Sequence, residues 1–164
     1  MTGRLMVLFL STLAVPVWGG VVAKYGDWQV ETTTDTMWNQ ISAHATTRAA
    51  SGDEILQVTC DSGRYGPPHV AIRWQRFLKS QSSDRTTLRY SIDGGSPMTV
   101  ATSMTPDGKM TWVESTDFTD WLLPAYRLVV EVVDYRGATY QATFSLRGLT
   151  KATNHIKRLC ASQQ

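Results

Sequence analysis

What this chain has little of narrows its chemistry at once. It carries two cysteines and three histidines in 164 residues, and only 18% of its side chains are charged. His44, His69 and His155 are scattered without the spacing of metal ligands, so the sequence offers neither a metal site nor a cofactor site. It has no Gly-x-Ser-x-Gly turn and no glycine-rich phosphate loop. Carboxylate pairs can be drawn, such as Glu114 with Asp117 or Asp120, but any chain with 14 acids offers such pairs. The constellation for an acid, base or nucleophile is missing, so no catalytic residue is expected. The 16 Lys and Arg nearly balance the acids, which removes any strong pull of the chain as a whole toward nucleic acid or an anionic membrane. Beyond the first two dozen residues, no apolar run is long enough to cross a bilayer as a helix. Aromatic and β-branched residues, six tryptophans among them, are too plentiful for a disordered chain.

What is present begins with a leader. Arg4 precedes an apolar run from Leu5 to Val17, followed by the small residues Gly19, Gly20 and Ala23. That is the pattern of a secretory signal peptide, taken here as residues 1–23. Val21 and Ala23 fit the small positions before the cut, and Val17 with Gly19 fits them too. No cysteine follows to carry a lipid anchor. Export to the periplasm or beyond then gives the cysteines a role, because two thiols in an oxidising compartment most simply form one bond, Cys60–Cys160. Closing so long a loop removes about 4.7 kcal/mol of denatured-chain entropy in the ideal model. The remaining residues 24–164 suit one domain.

Period-two alternation runs through most of that domain. Trp28 and Val30 mark a first strand, Ile41, Ala43 and Ala45 a second, and Leu56, Val58 and Cys60 a third. Val70, Ile72 and Trp74 follow on a fourth, then Leu88, Tyr90 and Ile92 on a fifth. Asp93-Gly94-Gly95 signals a tight turn into a strand around Met98 and Val100. Pro106-Asp107-Gly108 precedes Met110 and Trp112, which the alternation turns inward. Strands over Tyr126–Tyr135 and Thr139–Leu146 meet at Arg136-Gly137. Only the end of the chain reads as helix, with Thr150 as N-cap and Ala152, Ile156, Leu159 and Cys160 on one face. The expected fold is mainly β: an antiparallel, sandwich-like domain with a C-terminal helix tied down by the disulfide.

Motifs in order along the chain resemble a known family. They are Trp28-Gln29-Val30, Leu56-Gln57-Val58-Thr59-Cys60, Leu88-Arg89-Tyr90-Ser91-Ile92-Asp93, Trp112-Val113-Glu114-Ser115-Thr116-Asp117, and Ala142-Thr143-Phe144-Ser145-Leu146 with Gly148-Leu149 and the final Cys160. The succession resembles the VasI family of exported, type VI secretion-associated proteins. That resemblance implies an accessory protein and no catalytic residue. A shorter resemblance, over Tyr25-Gly26-Asp27-Trp28, is to the start of invasion-associated locus B proteins.

Two surfaces stand out as binding candidates. Between two turn signals, Trp112, Phe118 and Trp121 interleave with Glu114, Asp117 and Asp120. Rings supply contact area and carboxylates fix orientation, which suits a protein or glycan partner. The competing reading puts the rings in the core and leaves the polar residues to shape a turn. The second surface is basic: Arg73 and Arg89 on the solvent face of the fourth and fifth strands, with Arg76 and Lys79 nearby. It reads either as a site for phosphates or acidic protein, or as a solvated face that guards the sheet. The expected function is that of a non-enzymatic periplasmic accessory protein whose partner is another envelope or secretion-apparatus protein. An exported inhibitor or immunity-like module is the alternative class, and an envelope hydrolase a third.

Overall fold

The computed structural model describes residues 20–35, 37, 40–61, 68–80 and 84–161. The charged start and apolar run of the expected leader, Arg4 to Val17, lie outside the described residues. Ten strands form one antiparallel sheet: β1 Val21–Tyr25, β2 Trp28–Asp35, β3 Gln40–Arg48, β4 Ile55–Asp61, β5 His69–Arg73, β6 Arg85–Ile92, β7 Met98–Met104, β8 Met110–Val113, β9 Arg127–Val133 and β10 Thr139–Ser145. A short helix, α1 Phe118–Leu122, joins β8 to β9, and α2 Leu149–Ala161 follows β10.

The sheet order is β1-β2-β3-β4-β5-β8-β7-β6-β9-β10. The β6–β7–β8 meander turns back, so β8 rather than β6 pairs with β5, through Ala71 opposite Trp112. The far edge then returns to the first half. Ala50 donates its N–H to the Thr143 carbonyl at 2.8 Å, and Ala49 bridges to Phe144. The bent sheet thus lays two inner faces together, which is the sandwich-like arrangement the alternation predicts.

The core is the set of inward residues from both halves, Trp28, Leu56, Val58, Ile72, Trp74, Leu88, Leu128 and Phe144 among them. Helix α2 packs against β2, β3 and β4 by burying Leu149, Ala152, Thr153, Ile156 and Cys160. Cys160 is bonded to Cys60 of β4, with Cα atoms 6.3 Å apart.

Four details differ from the sequence reading. Strand β8 has the opposite phase: Thr111 and Val113 point inward, while Met110 and Trp112 lie half-buried on the outer face. A four-residue strand with apolar side chains in both phases leaves the pattern undecided, and one residue of slip exchanges the faces. Thr111 earns the inner position chemically, because its hydroxyl accepts the Trp74 indole N–H at 3.1 Å. Strand β1 begins at Val21, within the stretch assigned to the leader. Helix α1 is too short to show a period, yet Phe118 and Leu122, four apart, are both buried. Finally, α2 starts at Leu149, and Thr150 lies inside its first turn. The Thr150 hydroxyl donates to the Leu123 carbonyl at 2.8 Å instead of capping the helix.

Candidate functional site

Alternation and register together arrange the outer face of β2–β5 as a polar grid. Glu31, His44, Thr59 and His69 stand opposite one another in one cross-strand row. Gln29, Thr46, Gln57, Ala71 and Trp112 form the next, carried onto β8. Arg48, Ile55, Arg73 and Met110 form a third. Directly opposed side chains in such rows are within reach of each other.

The grid is internally bonded. Gln57 Nε2 donates to Thr59 Oγ1 at 2.7 Å and lies 3.0 Å from His44 Nδ1, which is 3.1 Å from the same hydroxyl. The His69 and Trp112 rings meet at 5.1 Å and 53°, covering the small, fully buried Ala71 and the buried Thr59 beside them. Beside this patch is a concavity of about 590 Å³ lined by Gln29, Thr46, Gln57, Arg48, Ile55 and Arg73, with Lys24, Asp27, Glu31 and Ser145 also on its walls. Both charge signs and many amide and hydroxyl groups line it. Such a surface matches a polar partner with donors and acceptors in alternation.

The Asp27 wall is fixed by the Tyr25-Gly26-Asp27-Trp28 motif. Its carboxylate accepts the Ser145 hydroxyl at 2.6 Å, its N–H reaches the Arg147 carbonyl at 3.2 Å, and Trp28 Nε1 donates to the Ser145 carbonyl at 3.1 Å. The motif therefore clamps β1 and β2 to the end of β10.

The segment expected to form one binding patch is divided. Trp112 sits on the outer grid, and Glu114 pairs with Arg85 at 3.5 Å. Asp117 precedes α1 without capping it, and Asp120 is exposed in its first turn. Phe118 is no surface residue at all: it is fully buried, edge-on to Tyr90 at 5.0 Å. Trp121, 46% exposed, leans on Phe118 at 6.1 Å, whereas Trp112 rests on His69. The two tryptophans thus have different ring partners.

The basic face is divided too. Strands β8 and β7 lie between β5 and β6, so Arg73 and Arg89 are not neighbours. Arg89 pairs with Glu131 at 3.3 Å. Arg76 pairs with the buried Glu54 at 2.9 Å and lies 3.4 Å over the Tyr140 ring. Sequence reasoning missed His44, Gln57, Thr59 and His69 as a group, because each is an ordinary polar residue on a half-buried strand. Their signal lies in register, which a linear pattern does not contain. Among the described residues, no group of three or more His, Cys, Asp or Glu is placed to hold a metal ion.

No protein-family model and no characterised protein sequence matches this chain. A solved structure does: the crystal structure of invasion associated protein B from Bartonella henselae superposes with a TM-score of 0.58 at 14% identity, over 85% of this chain and 97% of that one. The likeness is one of fold. It spans nearly the whole of the Bartonella protein, so the bent sheet is shared as a unit rather than through one hairpin.

Proposed function

We propose that the protein is a non-enzymatic, exported accessory protein that holds another envelope protein against the outer face of β2–β5 and β8. One observation carries this reading: a polar grid flanked by a concavity and by the Trp112–His69 pair, built mostly on strands rather than loops. A face built on paired strands loses little freedom on binding, so its hydrogen bonds contribute more to affinity. The disulfide suits an oxidising compartment. The resemblance to VasI proteins supports a role beside a secretion or envelope machine.

Titratable groups are also engaged in holding the fold. Asp93 accepts the N–H groups of Tyr126 and Arg127, Asp134 those of Arg136 and Ala138, and His155 meets the Tyr25 hydroxyl at 2.9 Å.

A photoreactive residue placed at Arg73, and separately at Gln141 on β10, tests it in intact cells. A discrete adduct from position 73 that is absent from position 141 is the expected result. Equal labelling from both, or none from position 73, contradicts it.

A further inference from the structure

Three connections far apart in sequence converge at one end of the sheet. They are the stretch after β5 carrying Phe77 and Lys79, the β7–β8 turn carrying Lys109, and the β9–β10 turn carrying Tyr135 and Arg136. Main-chain bonds lock them together. Leu78 donates to the Gly108 carbonyl at 3.0 Å, Lys79 to Val133 at 2.9 Å, and Tyr135 to Phe77 at 3.1 Å.

The side chains left outside this lock have one character. The Phe77 and Tyr135 rings meet edge to face at 6.3 Å and remain 53% and 56% exposed. Lys109 Nζ stands 4.7 Å over the Phe77 ring, and the Arg136 guanidinium 5.1 Å over Tyr135. Neither of these cations, nor Lys79, is ion-paired among the described residues.

The acids nearby offset this only in part. Asp134 is buried and accepts the backbone N–H groups of Arg136 and Ala138. Asp107 is exposed but turned to the Lys109 N–H at 3.1 Å and to the Thr105 hydroxyl, and exposed Asp84 flanks the start of β6. Lys79, Lys109 and Arg136, the last also donating its Nε–H to the Tyr135 hydroxyl at 2.6 Å, thus outnumber the two exposed acids around two exposed rings.

Single exposed apolar residues need no explanation. A rigid pair of rings with cations on their faces does, because neither ring is spent on the core. That combination matches a bilayer interface: aromatic rings settle at headgroup depth while Lys and Arg meet lipid phosphates. We propose that this aromatic–cationic tip docks the protein peripherally on a membrane surface bearing anionic phospholipid headgroups. The site adjoins the third row of the outer grid, where Met110 follows Lys109, but it uses other side chains and stands whether or not that grid binds a partner.

Flotation of the purified protein with phosphatidylglycerol-containing vesicles tests it, with pure phosphatidylcholine vesicles as the comparison. The protein is expected to float with the anionic vesicles at low salt and to be released as salt rises. Each cation neutralised should weaken binding about fivefold, and Lys79→Gln, Lys109→Gln and Arg136→Gln together on the order of a hundredfold. Lys151→Gln, Lys157→Gln and Arg158→Gln together, at exposed positions of α2, change net charge equally and should leave binding within about twofold. Should the tip triple variant fail to fold, Lys79→Gln alone decides, with its fivefold loss. The proposal is overturned by absence of flotation at low salt, by equal flotation with phosphatidylcholine, or by equal loss in the control triple variant. It is overturned as well if a polyglutamate peptide binds the tip while vesicles do not, which would assign the surface to an acidic protein.

Discussion

Gly148 lies against the backbone carbonyl of Tyr25 so closely that a β-carbon at position 148 would overlap the oxygen. Gly26 makes the reciprocal approach: a β-carbon there would come within 2.6 Å of the Arg147 carbonyl. Both glycines hold positive φ, 58° at Gly26 and 96° at Gly148. The first hairpin and the start of α2 are thus seated on each other through two residues that only glycine satisfies.

Gly148→Ala is expected to cost about 2 kcal/mol or more of stability, since it combines strained backbone with a collision against main chain. Gly137→Ala is the control: Gly137 also has positive φ, but nothing lies within 4 Å of its added β-carbon. Its cost should be nearer 1 kcal/mol, the conformational part alone. Urea unfolding of both variants measures the difference.

The disulfide should be intramolecular, so the unreduced protein should show a monomeric mass with no free thiol. Replacing Cys60 and Cys160 by serine should remove about 2–5 kcal/mol. Intact-mass analysis and urea unfolding check the two statements separately.

Phe118 and Trp121 should behave oppositely despite lying three residues apart. Phe118→Ala opens a cavity against Tyr90 and should cost about 3–5 kcal/mol. Trp121→Ala trims a half-exposed ring and should cost about 1 kcal/mol. Paired unfolding curves decide it.

Asp107 supplies a pH test. The Thr105 hydroxyl, and then the Lys109 N–H, hold its carboxyl below the usual aspartate range. A folded pKa below the unfolded one means that its contribution is present above the unfolded pKa and is lost as pH falls through the folded one. Thr105→Val should move the Asp107 carboxyl titration upward, read by carbon NMR.

Much of the fold is legible in the sequence because Trp28, Val30, Leu56, Val58, Val70 and Ile72 alternate cleanly on strands with one buried face. The disulfide and the terminal helix follow from the same patterning. The strand order does not, since placing β8 beside β5 depends on a meander reversal that leaves no local mark. The outer grid was hidden for the same reason: His44 and Thr59 are 15 residues apart and meet only through the β3–β4 register. Phe118 misled because the strand pattern lapses around it, and a buried helical turn with Leu122 looks like an exposed loop in one dimension.

Strand β1 bears on where the expected leader would be cut. A cut after Ala23 would remove most of β1, whereas a cut after Gly19 leaves its pairing with β2 whole. The mature chain is expected to start at Gly20, which N-terminal sequencing of the exported protein reads directly.

Binding of a partner by the outer face through Trp112 and its neighbours should separate affinity from stability at that residue. With the partner captured from position 73, the affinities of the wild type and Trp112→Ala are measured beside their unfolding free energies. The expected result is a loss of about 2 kcal/mol or more in binding, with less than that in folding, because Trp112 is half-buried and rests on His69 rather than in the core. Unchanged affinity, or a binding loss that merely follows unfolding, would contradict it.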